Sequence, residues 1–312
     1  MRVGAGEPAV RHEVVFGTMQ WGGKSDEATA AATFHACREA GIGWFDTAHL
    51  YTDGASEEIL GRLIAAHPGD DIGVATKVAY AGGAGAANIR AQFDLSRRRL
   101  GLERVDCLYL HRFDPATPLE ESLTVLAGMQ QKGEIGGIGV SNYAAWQVMK
   151  AQAIAVRLGV RITHVQPMYS LVKRQAEVEI LPMASDQGIA VHSYSPLGGG
   201  LLTGKYAGGG AGRLTEDDRY ARRYGQVAMH EAAAGLDAIA GEIGVHPATL
   251  AVAWVASHPT APLPIVSGRD TAQLAPSLAA IGFAMDAALY DRLAALMPGP
   301  PPATDRIEEQ PA

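Results

Sequence analysis

Eight short apolar, β-type runs recur along this chain, separated by longer helical stretches. The runs are VVFGT (14–18), GWFDT (43–47), IGVATKV (72–78), VDCLYLH (105–111), IGGIGVSN (135–142), ITHVQP (162–167), IAVHSYS (189–195) and PLPIVSG (262–268). Between the first seven, apolar residues fall at i, i+3 and i+4 over 27–40, 56–66, 87–100, 119–131, 144–158 and 176–187, the spacing of helices with one buried face. Apolar, glycine-bearing strands alternating with helices imply a parallel sheet covered on both faces. Eight such units predict closure into a single α/β domain over 1–312, a (β/α)8 TIM barrel. The last interval breaks the rhythm. A Gly-rich loop (198–212), a charged stretch (215–223) and about two helices precede the eighth strand. Insertions after a barrel strand fall on the C-terminal face, so a ligand-covering role is expected there.

Composition narrows the function. With 26 basic and 33 acidic residues the net charge is −7, and no basic stripe runs along the chain. Nucleic acid and anionic membranes are therefore poor partners. Neither a signal-peptide core at 1–11 nor an apolar stretch of about 18 residues is present, which predicts no membrane span. The two cysteines, Cys37 and Cys107, fit a reducing cytoplasm and no disulfide framework. From about 298 the Pro-rich tail is expected to be mobile. Oligomeric state is not legible.

The chemistry sits where polar residues interrupt apolar strands. Asp46 ends the second run, Tyr51 follows it, Lys77 ends the third and His111 the fourth. In a barrel these four share one rim. A Lys⁺ beside a phenol favours the phenolate and lowers its pKa, a buried Lys⁺ needs a counter-charge such as Asp46, and a histidine can orient or relay to a substrate oxygen. Each has a plainer reading when taken singly: a helix cap, a loop aromatic, a rim histidine. Lys77, at the end of a buried strand, is the hardest to explain without function.

Seven segments, among them GIGWFDTAHLYTDGASEEILGRLI (41–64), VDCLYLHRFDP (105–115), KGEIGGIGVSNY (132–143) and GIAVHSYSPLGGGLLTGKY (188–206), resemble the aldo-keto reductase family over roughly residues 14–285. The last is most similar to its bacterial and potassium-channel-β-like branch. The resemblance implies reduction of a small aldehyde or ketone by NADPH without a metal. It implies Tyr51 as general acid, Lys77 as its tuner, Asp46 as the partner of Lys77 and His111 as the residue that orients the carbonyl. It carries cofactor contacts to Gly17, Thr18, Met19 and Asp46, then to Ser141, Asn142 and Gln166 for the carboxamide. Tyr194 would stack on the ring, and Ser195, Pro196, Leu197, Gly198, Gly199 and Lys205 would line the pyrophosphate. Ser267, Arg269 and Gln273 would hold the 2′-phosphate, with Ser277 near the adenine. Trp21 and Phe113 are expected as apolar pocket walls beside Tyr51 and His111.

The chain departs from the family pattern at three places, the first being the segment before Val14, which lacks the family's usual hairpin pattern. Thr52 stands where a glycine usually follows the tyrosine, and Ser277, preceded by Pro276, stands where an asparagine is usual. The match of Gly4–Ala9 to a dinucleotide fingerprint is discounted because no strand precedes it. His164 and His192 lack partners at metal spacing and are expected to be packed histidines. Two other functions compete: an NADP(H)-binding sensing or regulatory protein of low turnover, and a barrel aldolase with Lys77 as Schiff base.

Overall fold

Each apolar run forms a strand in the computed structural model, which describes residues 14–206, 209–304 and 306. The strands are β1 Val15–Gly17, β2 Trp44–Asp46, β3 Gly73–Val78, β4 Val105–Leu110, β5 Ile135–Ser141, β6 Ile162–Gln166, β7 Ala190–Tyr194 and β8 Leu263–Val266. All pair in parallel and in chain order, and β8 returns to β1 to close the barrel. The (β/α)8 expectation holds, and the strands fall inside the runs read from sequence. The Gly4–Ala9 motif and the end of the tail lie outside the described residues.

Helices α1 Glu27–Glu39, α2 Ala55–Ala65, α3 Ala86–Leu100, α4 Leu119–Gln131, α5 Ala145–Arg157 and α6 Ile180–Gln187 follow β1 to β6. Their ends have local causes. Asp26 caps α1 by accepting from the Thr29 N–H at 2.9 Å, and Gly101 and Gly188 end α3 and α6 in the left-handed conformation that glycine takes without a Cβ clash. The helix expected from 176 instead opens as a 3₁₀ turn at Gln175–Glu177 before α6 begins at Ile180. Pro182 lacks the N–H that a continuous helix would direct back to residue 178, so it is tolerated only in the first turn of α6.

The charged stretch after β7 forms two short helices, α7 Arg213–Glu216 and α8 Asp218–Tyr224, before α9 Val227–Ile243 and α10 Pro247–Ala256. Beyond β8 lie α11 Thr271–Leu278 and α12 Ala287–Ala294. No single helix among the described residues is long and apolar enough to cross a membrane.

Strand alternation divides the interior in two. Outward residues such as Phe16, Phe45, Leu108 and Val140 join the helices in one continuous apolar layer. Full burial of such side chains contributes roughly 1.5–3 kcal/mol each, so this layer dominates stability. The inner side is different. Ala75, Cys107 and Tyr109 form a separate small cluster with Trp44, and His164 and His192 pack on that tryptophan and on each other. Barrel interiors usually hold layers of branched aliphatics. This one holds a polar and aromatic column leading up to the C-terminal rim.

Candidate active site

The rim brings all four sequence-predicted residues together. Asp46 is the last residue of β2, Lys77 the penultimate of β3, and His111 directly follows β4. Tyr51 opens a 3₁₀ turn, Tyr51–Gly54, between β2 and α2. Lys77 is fully buried and Asp46 nearly so. The ammonium donates to Asp46 Oδ1, to the Thr47 carbonyl at 2.8 Å and to the Tyr51 hydroxyl at 3.3 Å. Three donors thus meet three acceptors, which a buried charge requires. The other oxygen of Asp46 accepts from Gln166 Nε2 at 2.9 Å. The Lys77 nitrogen also lies 4.9 Å from the Tyr51 ring centre. His111 stands edge-on to Tyr51, with ring centroids 5.9 Å apart. Its buried Nδ1 has no hydrogen-bond partner among the described residues.

Two opposing effects act on Tyr51. Burial raises the Tyr51 pKa above its ordinary 10.0, and Lys77 opposes that rise without reversing it. The phenol is thus a neutral acid at physiological pH. Burial also weighs against the charge on Lys77, yet Asp46 and Tyr51 together raise its pKa above the usual lysine value. His111 falls to about 3, because burial, Lys77 and Arg112 all disfavour a second cation. It is a neutral imidazole that can donate or accept.

The rim is conformationally unusual. Non-glycine residues with positive φ are Thr52, Asp53, Ala79, Asn142, Ser195 and Ala261 among the described residues. The first five follow the C-terminal ends of β2, β3, β5 and β7. Strained backbone concentrates at functional sites, and here it turns the chain sharply at the rim where the four residues meet.

The expected cofactor residues line the rim from β1 round to β8. Ser141 Oγ donates to the Gln166 carbonyl at 3.0 Å, and Asn142 Nδ2 donates to the His111 carbonyl at 2.9 Å and to Ser141 Oγ at 3.1 Å. Tyr194 donates to Asn142 Oδ1 at 2.6 Å. Gly17 is fixed by packing, since a Cβ there would lie 2.8 Å from Ile265 Cγ2. The Thr18 hydroxyl is committed to Ser56 at 2.7 Å, whereas Met19 is exposed. Ser195, Pro196 and Leu197 lead into a 3₁₀ turn, Gly198–Thr203, over which Tyr220 and Tyr224 lie. The Lys205 nitrogen sits over the Tyr206 ring at 4.8 Å. At the β8 end, the Ser267 and Ser277 hydroxyls are buried without partners among the described residues. Gln273 accepts from the Arg269 N–H at 3.3 Å.

The insertion forms a strap. Glu216 of α7 reaches Lys24, after β1, at 3.3 Å and Arg269, after β8, at 3.7 Å.

Trp21 is not brought to the mouth. It is fully buried behind the barrel wall against Phe16 and Phe45, and its indole N–H donates to Thr33 of α1 at 3.2 Å. An indole needs one acceptor, and α1 provides it on the outer side. Phe113 stays near the rim, edge-on to Tyr143 and the exposed Trp146.

Several residues escaped the sequence reading. Leu50 and Tyr80 help line a cleft of about 420 Å³ that reaches Lys77 and extends to His49, Asp53, Gln92 and Arg99. Both are half-exposed, and their only signal was adjacency to Tyr51 and Lys77. Tyr80 also packs on His111 at 5.0 Å and beneath Arg112 at 4.8 Å. No cluster of three His, Cys, Asp or Glu suited to a metal is present among the described residues.

Comparison with known proteins agrees with this geometry. The chain is 32% identical over 303 residues to the uncharacterized oxidoreductase YrpG of Bacillus subtilis, covering 91% of each chain. It is 33% identical over 279 residues to a probable voltage-gated potassium channel subunit beta of Oryza sativa subsp. japonica, covering 84% of each. It is also 39% identical over 210 residues to aflatoxin B1 aldehyde reductase member 2 of Rattus norvegicus, a match that spans 66% of this chain but only 57% of the rat protein. The profile of the aldo/keto reductase family matches residues 13–297, and with the closed barrel and its rim this chain belongs to that family.

Proposed function

We propose that the protein reduces the carbonyl of small aldehydes or ketones, with NADPH as hydride donor and Tyr51 as proton donor. The observation that carries this reading is the buried contact of Lys77 with both Asp46 and the Tyr51 hydroxyl. The residues suit the cofactor. The Ser267 and Ser277 hydroxyls, buried without partners among the described residues, lie where phosphate or adenosine contacts are expected, and Arg269, whose fork matches phosphate oxygens, follows Ser267 by two residues.

When bound, a dihydronicotinamide supplies a hydride to the carbonyl carbon. The residues of this chain handle the oxygen. As the π electrons collect there, Tyr51 transfers its proton to the oxygen and becomes a phenolate. Lys77, 3.3 Å away, stabilises that new charge, and Asp46 keeps Lys77 fixed and charged. His111, a neutral imidazole edge-on to Tyr51, orients the carbonyl oxygen toward Tyr51. Leu50, Tyr80 and Phe113 exclude water from an apolar substituent. A Schiff-base role for Lys77 is disfavoured, because that chemistry needs a neutral amine and this one is held as ammonium.

Tyr51→Phe tests the assignment. Aldehyde-dependent oxidation of NADPH should fall about 100-fold or more while NADPH still binds. Near-normal turnover would sink the general-acid role, and absence of turnover in the wild type would favour a sensing role. Arg269→Ala should weaken NADPH far more than NADH, by about tenfold or more; equal losses would show that Arg269 does not read the 2′-phosphate.

A further inference from the structure

Closure of the barrel brings a buried hydroxyl to the arginine expected at the 2′-phosphate. β8 pairs with β1, so the loops that follow these strands lie side by side, and Ser25 meets Arg269 across 244 residues of sequence. Ser25 is buried, and its Oγ donates to the Arg269 carbonyl at 2.7 Å. The steps above make no use of this contact.

Both sides of the bond are anchored. The Ser25 N–H donates to the Gln20 carbonyl at 3.0 Å, and the Ser25 carbonyl accepts from the Gly22 N–H at 2.8 Å. Asp26, the next residue, caps α1. The hydroxyl thus projects from a loop fastened to a helix. Across from it, Gly268 lets the chain turn closely onto α11, since a Cβ there would lie 2.9 Å from Leu274 Cβ. The Arg269 N–H then donates to Gln273 Oε1 at 3.3 Å.

These two bonds act on different peptide groups. The N–H of Arg269 belongs to the peptide before its Cα, and its carbonyl to the peptide after it. Each peptide is planar, so holding both sets the direction in which the side chain leaves the backbone. The two holds are unequal. Gln273 is exposed and its contact is long, whereas the Ser25 bond is short and comes from a buried side chain. The guanidinium itself meets Glu216 at 3.7 Å, with both side chains partly exposed, and such a pair fixes little.

We propose that Ser25 is a positioning residue for the 2′-phosphate. Its hydroxyl holds the Arg269 main chain so that the guanidinium fork projects to the phosphate oxygens, and it thereby sets the preference for NADPH over NADH. This rests on the reading of Arg269 given above. NADH carries no 2′-phosphate, so its binding is indifferent to where the fork points.

The test is nucleotide binding, followed by cofactor fluorescence and read as the ratio of the NADH to the NADPH dissociation constant. Ser25→Ala should weaken NADPH by about threefold to tenfold, the loss of one hydrogen bond, and leave NADH nearly unchanged. In an Arg269→Ala background the same change should have no further effect, because the fork it positions is gone. Equal weakening of both nucleotides by Ser25→Ala, or an undiminished effect in that background, would assign the hydroxyl to the fold alone and overturn the inference. Ser25→Thr and Ser25→Val share one shape and differ in the hydroxyl, so they decide the matter if the alanine variant proves unstable. The threonine form should keep the larger ratio, and equal ratios count against the inference. Arg269→Ala by itself separates the two claims. If it weakens both nucleotides equally, the 2′-phosphate reading fails and this role with it. If it is selective for NADPH while Ser25→Ala is not, the positioning role alone fails.

Discussion

Thr52 holds backbone angles of φ 48° and ψ 43°, a conformation that β-branched residues seldom take. Glycine would adopt it freely, so this chain has compensated for a less suitable side chain. The Thr52 hydroxyl donates to the Trp21 carbonyl at 2.7 Å and accepts the Ser56 N–H at 3.1 Å, an otherwise unpaired donor in the first turn of α2. It therefore ties the tyrosine loop to the β1 loop and caps a helix. Thr52→Val keeps the shape and strain but removes both bonds. It should cost about 1–3 kcal/mol in denaturant unfolding, and Thr52→Ser should recover most of that. Unchanged stability in the valine variant would show that the hydroxyl is no anchor. The sequence flagged this position only as a departure from the family pattern. The tether itself was not legible, because Trp21 had been assigned to the mouth and it is the Trp21 carbonyl that accepts.

Among the elements, α3 has more to do with the site than its place outside the barrel suggests. Arg99, in its last turn, donates to the His49 carbonyl at 3.0 Å and the Asp53 carbonyl at 3.2 Å. These two carbonyls bracket Tyr51, so α3 clamps the loop that carries the proton donor. Gly54, at φ +101°, leaves room for the guanidinium, which lies 2.2 Å from where a Cβ would stand. Arg99 also pairs with the fully buried Glu57 at 3.3 Å, and Glu57 accepts from Thr76 at 2.7 Å. Arg99→Met should therefore lower turnover by loosening Tyr51. It should also destabilise the fold by about 3–5 kcal/mol, because the Glu57 carboxylate is left buried without its cation. Combining it with Glu57→Gln should restore much of the stability and none of the turnover. Recovery of both would assign Arg99 to folding alone. The helices themselves were legible from their apolar spacing, since their buried faces meet one continuous layer. Their polar reach to the rim was not, because the spacing of charged residues along a helix does not show which loop Arg99 and Glu57 meet.

At the scale of the whole barrel, two interiors obey different rules. The outer layer is apolar and periodic, which is why eight strands and most helices could be placed from sequence. The inner column alternates glycine, alanine and cysteine with Asp46, Tyr109, Gln166 and His192, a pattern that faces inward only once the ring has closed. That column has a cost at low pH. Burial depresses His164 to about 4 and pushes His192 well below its ordinary 6.5, while His111 falls to about 3. In the unfolded chain all three titrate near 6.5. Between about pH 6.5 and 4 the unfolded state therefore binds protons that the native state refuses. Stability is complete above the unfolded pKa and falls as the pH drops, by up to about 4 kcal/mol per pH unit for the three together. Thermal midpoints should consequently decline from pH 6.5 downward, before carboxylates begin to titrate. Replacing His164 and His192 together by glutamine keeps hydrogen-bonding groups in the column and removes two of the three titrations. The slope between pH 6.5 and 4.5 should then shrink by up to about 2.7 kcal/mol per pH unit, leaving the part due to His111 and to His49 and His258, which burial also lowers. A double variant with the wild-type slope would mean that these rings are not neutral in the native barrel, and that water or a proton reaches the column beneath Asp46.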